Sequence, residues 1–493
     1  MTDIPAPEGA RRAGLLLGPL AFALILVAPV PEGLTPIGLR TGAVVALMAI
    51  WWVTEAVPIP VTALLPLALF PLLGILDMAA TAAPFANELI FLFMGGFFIA
   101  AAMERSGLHR RVALAIVHAI GTSPSRLVLG FMLATAFLSM WISNTATATM
   151  MLPIAIAVAE MLKPADRVGP YEFGIALMLG IAYGASIGGI STLIGTPPNA
   201  ILAAAAQEVL GIQIGFGEWM LVGLPVAIVM LPLTWLALVK VLYPPRDLVG
   251  GADDLIRQER TRLGPVSRAE RIVGVVFLAT ALAWIFRTPK DLGSVVIPGI
   301  TSFAPWVQDS TIAMAAALLL FSIPLDLRKG EFILDWSAGR RIAWGVLILF
   351  GGGLSLARAM EQSGLAAWIG SFVTVLDTVP HWVLIVGVVT LVVFLTEITS
   401  NAATTTMAMP IMAGAGLALG VPPMMLMTTA ALAASMAFML PVATPPNAIV
   451  FSSGYLTIPQ MVRAGLLLNL IAIVVVTLVG LFLVPRFLLP GMP

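Results

Sequence analysis

Residues 139–149 read Ser-Met-Trp-Ile-Ser-Asn-Thr-Ala-Thr-Ala-Thr, a polar stretch that lies between two apolar runs. Residues 396–406 are a second copy, Thr-Glu-Ile-Thr-Ser-Asn-Ala-Ala-Thr-Thr-Thr, and aligning Ser143 with Ser400 sets an offset of 257 residues. Ser, Thr and Asn side chains bond to nearby backbone and therefore compete with helix formation. Inside a membrane, unwound backbone persists only where protein buries it or where it lines a cavity. Two matched interruptions of apolar segments are typical of a transporter's binding site.

The composition of the 493-residue chain is that of a membrane protein. Hydrophobic residues make up 60% and charged residues 10%, and the mean hydropathy is +1.04. Since soluble proteins carry roughly 25% charged residues, we predict an all-α, polytopic integral membrane protein. The zero formal net charge argues against a nucleic-acid partner. The absence of cysteine excludes disulfides and thiolate metal sites, and the three histidines are too widely separated to build a metal centre.

Two further motifs repeat in the same order as the Ser-Asn interruptions. Residues 93–108 and 350–365 are Gly-rich, share ten of sixteen identities at the same offset, and both end in Met-Glu-x-Ser-Gly-Leu. Thr-Pro-Pro-Asn occurs at 196–199 and again at 444–447, at an offset of 248 residues. We expect each proline pair to break a helix. We expect the Gly-rich segments to form re-entrant hairpin tips, with tight packing surfaces as the alternative.

The polar and apolar segments divide the chain into two comparable halves. The stretch 244–271 is the longest polar one, and its arginines predict a cytoplasmic connection. Several apolar segments are shorter than the roughly 20 residues of a spanning helix, so we expect broken helices and about 11 spans. The predicted regions are N-terminal spans 1–80, a first repeat 81–243, the connection 244–271, a span and connection 272–311, and a second repeat 312–493. Arg11 and Arg12 precede the first apolar run and predict an uncleaved span with a cytoplasmic N-terminus.

The interruptions have a chemistry suited to ions. A broken helix offers carbonyl oxygens to a cation at one cut end and N–H groups to an anion at the other. An Asn side chain can serve both through its oxygen and its NH₂ group. None of the four interruptions contains Lys, Arg or His. A bound anion would therefore be neutralised by helix ends and co-bound cations, whereas the alternative for a single motif is hydrogen bonding between helices.

Three glutamates in the repeated segments are candidates for proton transfer. Glu104 and Glu361 lie in the Met-Glu-x-Ser-Gly-Leu part of the Gly-rich motifs. We interpret them as structural partners of helix ends or arginines. Glu397 lies inside the second interruption, where the first copy has Met140. Glu397 is the best protonation candidate, although structural pairing is the preferred interpretation.

At these four paired motifs the chain resembles the divalent anion/sodium symporter family, whose members carry dicarboxylates, citrate or sulfate. The resemblance covers both halves and leaves out the N-terminus and the Arg-rich connection. It implies inverted repeats, a scaffold domain that forms a homodimer, and a transport domain that moves by an elevator mechanism. It also implies co-transported Na⁺, a small anionic substrate and a place in a bacterial inner membrane.

The resemblance assigns two sodium sites and one substrate site to residues of this chain. The first sodium site comprises Ser139, Ser143, Asn144 and the Gly195 carbonyl. The second comprises Thr396, the backbone at Thr399, Asn401 and Ala443. The substrate site comprises Ser143, Asn144, Thr145, Thr196, Pro197, Ser400, Asn401, Thr444 and Pro445.

One position departs from the family pattern. The second motif of the family is typically Ser-Asn-Thr, but here Ala402 takes the place of the threonine. A hydroxyl that would meet the substrate is absent, while the sodium residues are retained. We therefore expect Na⁺-coupled symport of a divalent anion, with a C4-dicarboxylate such as succinate first. Anion exchange, or proton-coupled transport of citrate, sulfate or another small anion, is the alternative. A membrane-embedded enzyme is not expected, because all three histidines lie outside the motifs.

Overall fold

A computed structural model describes residues 8–164, 169–245, 252–291, 296–376 and 378–489. Apart from two small two-stranded antiparallel sheets, the regular structure of these residues is helical. Eight of the described helices are long and apolar enough to cross a membrane, and a bent pair formed by Leu365–Leu376 and His381–Leu395 would make nine. The protein is an all-α polytopic membrane protein, as the composition predicts. The expected total of about 11 spans depends on the shorter and interrupted helices.

The N-terminal region consists of two long helices followed by three short ones. They are α1 (Glu8–Val27), α2 (Pro36–Thr54), α3 (Ile59–Thr62), α4 (Leu65–Leu73) and α5 (Met78–Ala82). Thr35 caps α2 by accepting a 2.9 Å hydrogen bond from the amide of Gly38, and Pro36 occupies the first helical position. α1 packs along α2, so the predicted first span is held by the second.

Seven α-helices of the first repeat lie within the described residues. They are α6 (Glu88–Ser106), α7 (Leu108–Ile120), α8 (Pro124–Ser139), α9 (Asn144–Leu162), α10 (Glu172–Gly189), α11 (Pro197–Leu210) and α12 (Phe216–Leu236), the last continued by a π-helical turn, Ala237–Leu242. Both α8 and α9 pack against α10, whose residues are almost all buried. The helix that precedes the Thr-Pro-Pro-Asn motif is therefore enclosed by the two helices that flank the Ser-Asn motif.

The polar connection between the halves is partly helical. It and the following segment contain α13 (Ala252–Arg262), α14 (Arg268–Ile285), β1 (Lys290–Asp291), β2 (Val296–Ile297), α15 (Asp309–Ser322), β3 (Pro324–Asp326), β4 (Glu331–Phe332) and α16 (Trp336–Gly339). Arg111 on α7 holds this connection, because its guanidinium binds Glu270 at 2.7 Å and donates to the Gly264 carbonyl at 3.1 Å. Arg246, one of the arginines of the predicted connection, lies outside the described residues.

The second repeat follows the order of the first. Its helices are α17 (Trp344–Gln362), α18 (Leu365–Phe372), α19 (His381–Leu395), α20 (Asn401–Leu419), α21 (Pro423–Ala434), α22 (Pro445–Phe451) and α23 (Ile458–Phe487). α9 and α20 correspond at both ends at the offset of 257 residues, and α21 packs between α19 and α20 as α10 does between α8 and α9. The structure thus preserves the repeat that the motifs indicate.

The Gly-rich segments are the interiors of α6 and α17, so the prediction that they form hairpin tips was wrong. Their glycines allow close helix packing instead. A methyl group on Gly95 would lie 2.6 Å from the Ala313 Cβ, and one on Gly352 would lie 2.0 Å from the Ala63 carbonyl oxygen. Glycine inside a helix costs roughly 0.5–1 kcal/mol relative to alanine. Here the close contacts that the small size of glycine permits offset that cost. The Gly-rich segments are therefore tight packing surfaces, which was the alternative prediction.

The two halves interlock around the interruptions. α9 of the first half packs against α22 of the second, and α20 of the second packs against α11 of the first. The Tyr183 hydroxyl on α10 also donates a 2.9 Å hydrogen bond to the carbonyl of Phe438, in the second half. The helices that follow the four interruptions are therefore packed across the repeats.

Candidate transport site

The first Ser-Asn interruption brings two oxygen-bearing side chains together. Ser139 ends α8 and Asn144 begins α9, and the Ser139 hydroxyl donates a hydrogen bond to the Asn144 Oδ1. Ser143 caps α9 by accepting a 3.2 Å hydrogen bond from the amide of Ala146. Ser139 is fully buried and Asn144 is half-buried. The unwound turn thus brings the Ser139 hydroxyl and the Asn144 Oδ1 into contact. These are two of the oxygen atoms that the family resemblance assigns to a cation.

The Asn144 side chain also lies against the second interruption of the same half. A methyl group built on Gly189 would lie 2.6 Å from the Asn144 Oδ1 and 3.2 Å from the Gly195 carbonyl oxygen. Only glycine allows this approach. The structure therefore brings together Ser139, Asn144 and Gly195, and Ser143 precedes Asn144 in the same turn. That these four residues bind a sodium ion stays a prediction.

Two residues of this cluster were missed from the sequence. Gly189 provides the space for Asn144, and Thr192 donates from its hydroxyl to the carbonyl of Met140, which ties the two interruptions together. The pair Gly188-Gly189 at the end of a long apolar helix was a usable signal. The role of Thr192 had no local signal, because its partner lies 52 residues away in sequence.

The second half repeats the serine–asparagine contact with a threonine. The Thr396 hydroxyl lies 2.7 Å from the Asn401 Oδ1 and 2.9 Å from the carbonyl oxygen of Ala434. The Thr399 hydroxyl donates to the Leu395 carbonyl at 2.8 Å and lies 2.6 Å from the Thr404 hydroxyl, while the predicted sodium contact of Thr399 is made by its backbone. The structure therefore brings Thr396 and Asn401 into contact, and their role in a second sodium site with Thr399 stays a prediction.

Ala443 lies at the end of the second interruption of this half, where its amide donates to the Leu440 carbonyl at 3.2 Å. It stands in the place that Gly195 occupies in the first half. Its contact with a cation shared by Asn401 stays a prediction.

The proline pairs start helices and do not break them. Pro197 and Pro198 open α11, and Pro445 and Pro446 open α22. Proline suits the first helical positions, because the missing N–H would have no partner there. The unwound segments are residues 190–196 and 435–444, which precede the prolines. The free carbonyls of the site come from these segments. The break expected at each Thr-Pro-Pro-Asn motif lies immediately before the prolines, where Thr196 and Thr444 have extended backbone.

Helices begin at all four motifs. Ser143, Ser400 and Thr196 are the N-cap residues of α9, α20 and α11, and Thr444 precedes the shorter α22. The Ser400 and Thr196 side chains accept no capping hydrogen bond, so their hydroxyls are not committed to their own helices. Helix N-termini attract anions through unpaired N–H groups and the helix dipole. That the predicted substrate residues converge on one anion stays a prediction.

Glu397 has a structural role in the second interruption. Its buried carboxylate accepts hydrogen bonds from the amides of Phe438 at 2.7 Å, Met439 at 2.9 Å and Leu440 at 3.1 Å, and from the Asn469 side chain at 2.8 Å. The preferred structural interpretation of Glu397 is thereby confirmed. Glu104 and Glu361 are exposed, and their structural pairing stays a prediction.

The fold and the site define a class of protein. An all-α membrane protein with a sequence repeat and two interrupted helical segments in each half has the architecture of a secondary transporter. The family model of the sodium:sulfate symporter transmembrane region matches residues 10–487, and the chain belongs to this family. It is a membrane transporter of a sodium-symporter family and not an enzyme.

Relatives with assigned names support this placement. A sodium-dependent dicarboxylate transporter SdcS of Staphylococcus saprophyticus is 44% identical over 483 residues, which is 96% of this chain and 92% of the relative. SdcS of Staphylococcus aureus strain USA300 is 43% identical over 480 residues, covering 96% and 91%. The solved structure of the Alcanivorax borkumensis YdaH transporter superposes with a TM-score of 0.57 at 15% identity over 98% of each chain. That superposition supports the fold alone.

Proposed function

We propose that this protein is a Na⁺-coupled symporter of a divalent anion, with a C4-dicarboxylate such as succinate as the substrate class. The observation that carries the proposal is the Ser139–Asn144 contact beside Gly195, with its repeat in Thr396 and Asn401. The relatives that are 43–44% identical over nearly the whole chain are named as sodium-dependent dicarboxylate transporters.

Na⁺ suits both clusters because their ligands are neutral oxygen atoms. Na⁺ would be held first by Ser139, Ser143, Asn144 and the Gly195 carbonyl. A second Na⁺ would be held by Thr396, the Thr399 carbonyl, Asn401 and Ala443. None of the ligands named in either cluster carries a formal charge. They therefore leave the positive charge of a bound cation available to neutralise the substrate beside it.

The same electrostatics explains why cation and anion binding would be coupled. No Lys, Arg or His lies in the four motifs, and an uncompensated charge in the membrane interior is costly. The two carboxylates of a C4-dicarboxylate would meet the N-termini that begin at Ser143 and Ser400, with Thr145, Thr196-Pro197 and Thr444-Pro445 around them. Asn144 and Asn401 each offer an oxygen to a cation and an NH₂ group to the anion. An empty sodium site would therefore leave the dianion without compensating charge.

The transport cycle would be an elevator movement of one domain against a scaffold that forms a homodimer. The packing of α9 on α22 and of α20 on α11 supports this proposal, because it joins the interruptions of both halves. The protein would lie in a bacterial inner membrane with its N-terminus in the cytoplasm, as Arg11 and Arg12 favour.

Proton coupling is the alternative mechanism, and Glu397 would be its proton carrier. Each Glu397 oxygen accepts from backbone amides, and protonation would remove acceptor capacity from this buried network. Losing these hydrogen bonds in a dry interior would be costly. This arrangement favours Na⁺ as the coupling ion. Anion exchange uses the same site and is decided by experiment.

The substrate class is tested by competition in proteoliposomes that contain the purified full-length chain. Uptake of radiolabelled succinate under an inward Na⁺ gradient would be measured with an excess of unlabelled fumarate, citrate or sulfate. We expect fumarate to compete and sulfate to have little effect. Uptake that sulfate abolishes and fumarate leaves unchanged would overturn the dicarboxylate assignment. Uptake that requires internal succinate would indicate exchange.

A further inference from the structure

The two Thr-Pro-Pro-Asn motifs end in asparagines whose side chains the sodium and substrate sites do not use. Asn199 and Asn447 are both completely buried. The Asn199 NH₂ group donates to the carbonyl oxygens of Gly189 at 3.1 Å, Ile190 at 3.1 Å and Thr192 at 2.7 Å. The Oδ1 atoms of both asparagines have no hydrogen-bond partner within the described part of the chain. Both carboxamides therefore act as donors alone.

The second half contains the same contact. The Asn447 NH₂ group donates to the carbonyl oxygens of Ala437 at 3.2 Å and Leu440 at 3.0 Å. In both halves these acceptors lie 10 and 7 residues before the asparagine. The bridged segments differ in sequence, Gly-Ile-Ser-Thr in residues 189–192 and Ala-Phe-Met-Leu in residues 437–440. The asparagine is therefore the residue, common to both halves, whose hydrogen bonds hold each unwound segment in shape.

The carbonyls that each asparagine binds lie at a helix end or in the unwound segment after it, since α10 ends at Gly189 and α21 ends at Ala434. Two of them have a second donor, because the Trp219 indole N–H lies 2.9 Å from the Ile190 carbonyl oxygen and the Ala443 amide lies 3.2 Å from that of Leu440. The last carbonyls of a helix have no partner within it, and in a dry interior they compete for any cation nearby. Asn199 binds the carbonyl of Gly189, the last residue of α10, and the Ile190 and Thr192 carbonyls that follow it. The Gly195 carbonyl lies beyond this group, next to the Asn144 side chain over Gly189. Asn447 donates to the corresponding carbonyls of Ala437 and Leu440, which precede Ala443.

We propose that Asn199 and Asn447 are positioning residues for the two sodium sites. Each closes its unwound segment, withdraws the carbonyls of residues 189–192 or 437–440 from cation binding, and presents the carbonyl at Gly195 or Ala443. Neither touches the ion. This inference rests on the proposed function, because it assigns the residues that shape the same sodium sites. Outer residues that orient metal ligands typically change metal affinity by 10–100-fold when they are replaced.

The test uses the full-length protein in proteoliposomes and two replacements at each position. Asn199→Ala and Asn447→Ala remove the donors and the volume, whereas Asn199→Leu and Asn447→Leu remove the donors and keep a similar volume. We expect all four to raise the Na⁺ concentration for half-maximal succinate uptake by about tenfold or more. The succinate KM at saturating Na⁺ should change far less. Asn87→Ala is the control, since Asn87 caps α6 outside the site and should leave the Na⁺ dependence unchanged.

The possible outcomes separate this inference from the proposed function. A wild-type protein whose uptake ignores Na⁺ would overturn both. A Na⁺-dependent wild type with unchanged Na⁺ dependence in the variants would overturn the positioning role alone. A shift in the alanine variants that the leucine variants lack would assign the effect to packing and overturn the role of the donors. Variants that cannot be purified as folded protein, by gel filtration and thermal unfolding, would place the asparagines in the fold and would also overturn it.

Discussion

The Tyr183 hydroxyl donates a 2.9 Å hydrogen bond to the carbonyl oxygen of Phe438, 255 residues later in the chain. Both side chains are completely buried, and their rings meet edge to face with centroids 5.2 Å apart. Tyr183 lies on α10, which ends at Gly189 against the Asn144 side chain. Phe438 lies in the unwound segment whose amides donate to the Glu397 carboxylate. This contact links the surroundings of both proposed sodium sites.

Replacing either motif asparagine should abolish transport. Asn144→Ala and Asn401→Ala each remove the oxygen that meets Ser139 or Thr396, together with the NH₂ group proposed to face the anion. We expect no measurable succinate uptake from either variant, with an intact folded protein in gel filtration. Uptake at the wild-type rate by either variant would remove that asparagine from the site.

Ala402 is the position at which the second copy departs from Ser-Asn-Thr. Ala402→Thr should tighten succinate binding, because a hydroxyl that meets a carboxylate contributes about 1.5–3 kcal/mol when well aligned, roughly tenfold or more in affinity. Thr145→Ala, at the corresponding position of the first half, should weaken it. The measurement is the inhibition constant of succinate at saturating Na⁺ for both variants, which keeps cation affinity out of the comparison.

The opposite result for Ala402 would be equally informative. If Ala402→Thr weakens succinate binding and leaves the transport of another anion unchanged, the dicarboxylate assignment fails. The half-buried Ala402 would then be a packing residue in a site shaped for a different anion.

Glu397 should matter for stability and not for proton coupling. Glu397→Gln keeps the size of the side chain but turns an NH₂ group toward backbone amides that need an acceptor. We expect the free energy of unfolding to fall by about 3 kcal/mol, because each unsatisfied buried donor costs roughly 1–3 kcal/mol. Thermal unfolding of the purified protein measures this, with Glu361→Gln as the control because Glu361 is exposed. A stable Glu397→Gln variant that loses only the pH dependence of uptake would instead identify a proton carrier.

The pairing of Ser139 with Asn144 and of Thr396 with Asn401 follows from the sequence because its signals are local and repeated. Ser139 and Asn144 lie five residues apart across one turn, and the second copy repeats that spacing in Thr396 and Asn401. The repeat also predicted equivalent helices, since α9 and α20 start and end at matching positions.

The Gly-rich segments were misread because glycine has two uses in a membrane. It allows an unwound tip, and it equally allows two helices to approach closely, as Gly95 does against Ala313. Composition cannot separate these uses, because the deciding contact is made with a residue far away in sequence. The proline pairs marked the later breaks correctly, because the residue before a proline avoids helical geometry while proline itself suits a helix start.

One transport measurement tests most directly whether Na⁺ drives uptake. Proteoliposomes with the full-length protein would be loaded with K⁺ buffer and given external radiolabelled succinate with Na⁺, with K⁺, or with K⁺ and an inward pH gradient. We expect concentrative uptake with Na⁺ and background uptake in both K⁺ conditions. Equal uptake without Na⁺ under the pH gradient would contradict the account and make Glu397 the first residue to test as a proton carrier.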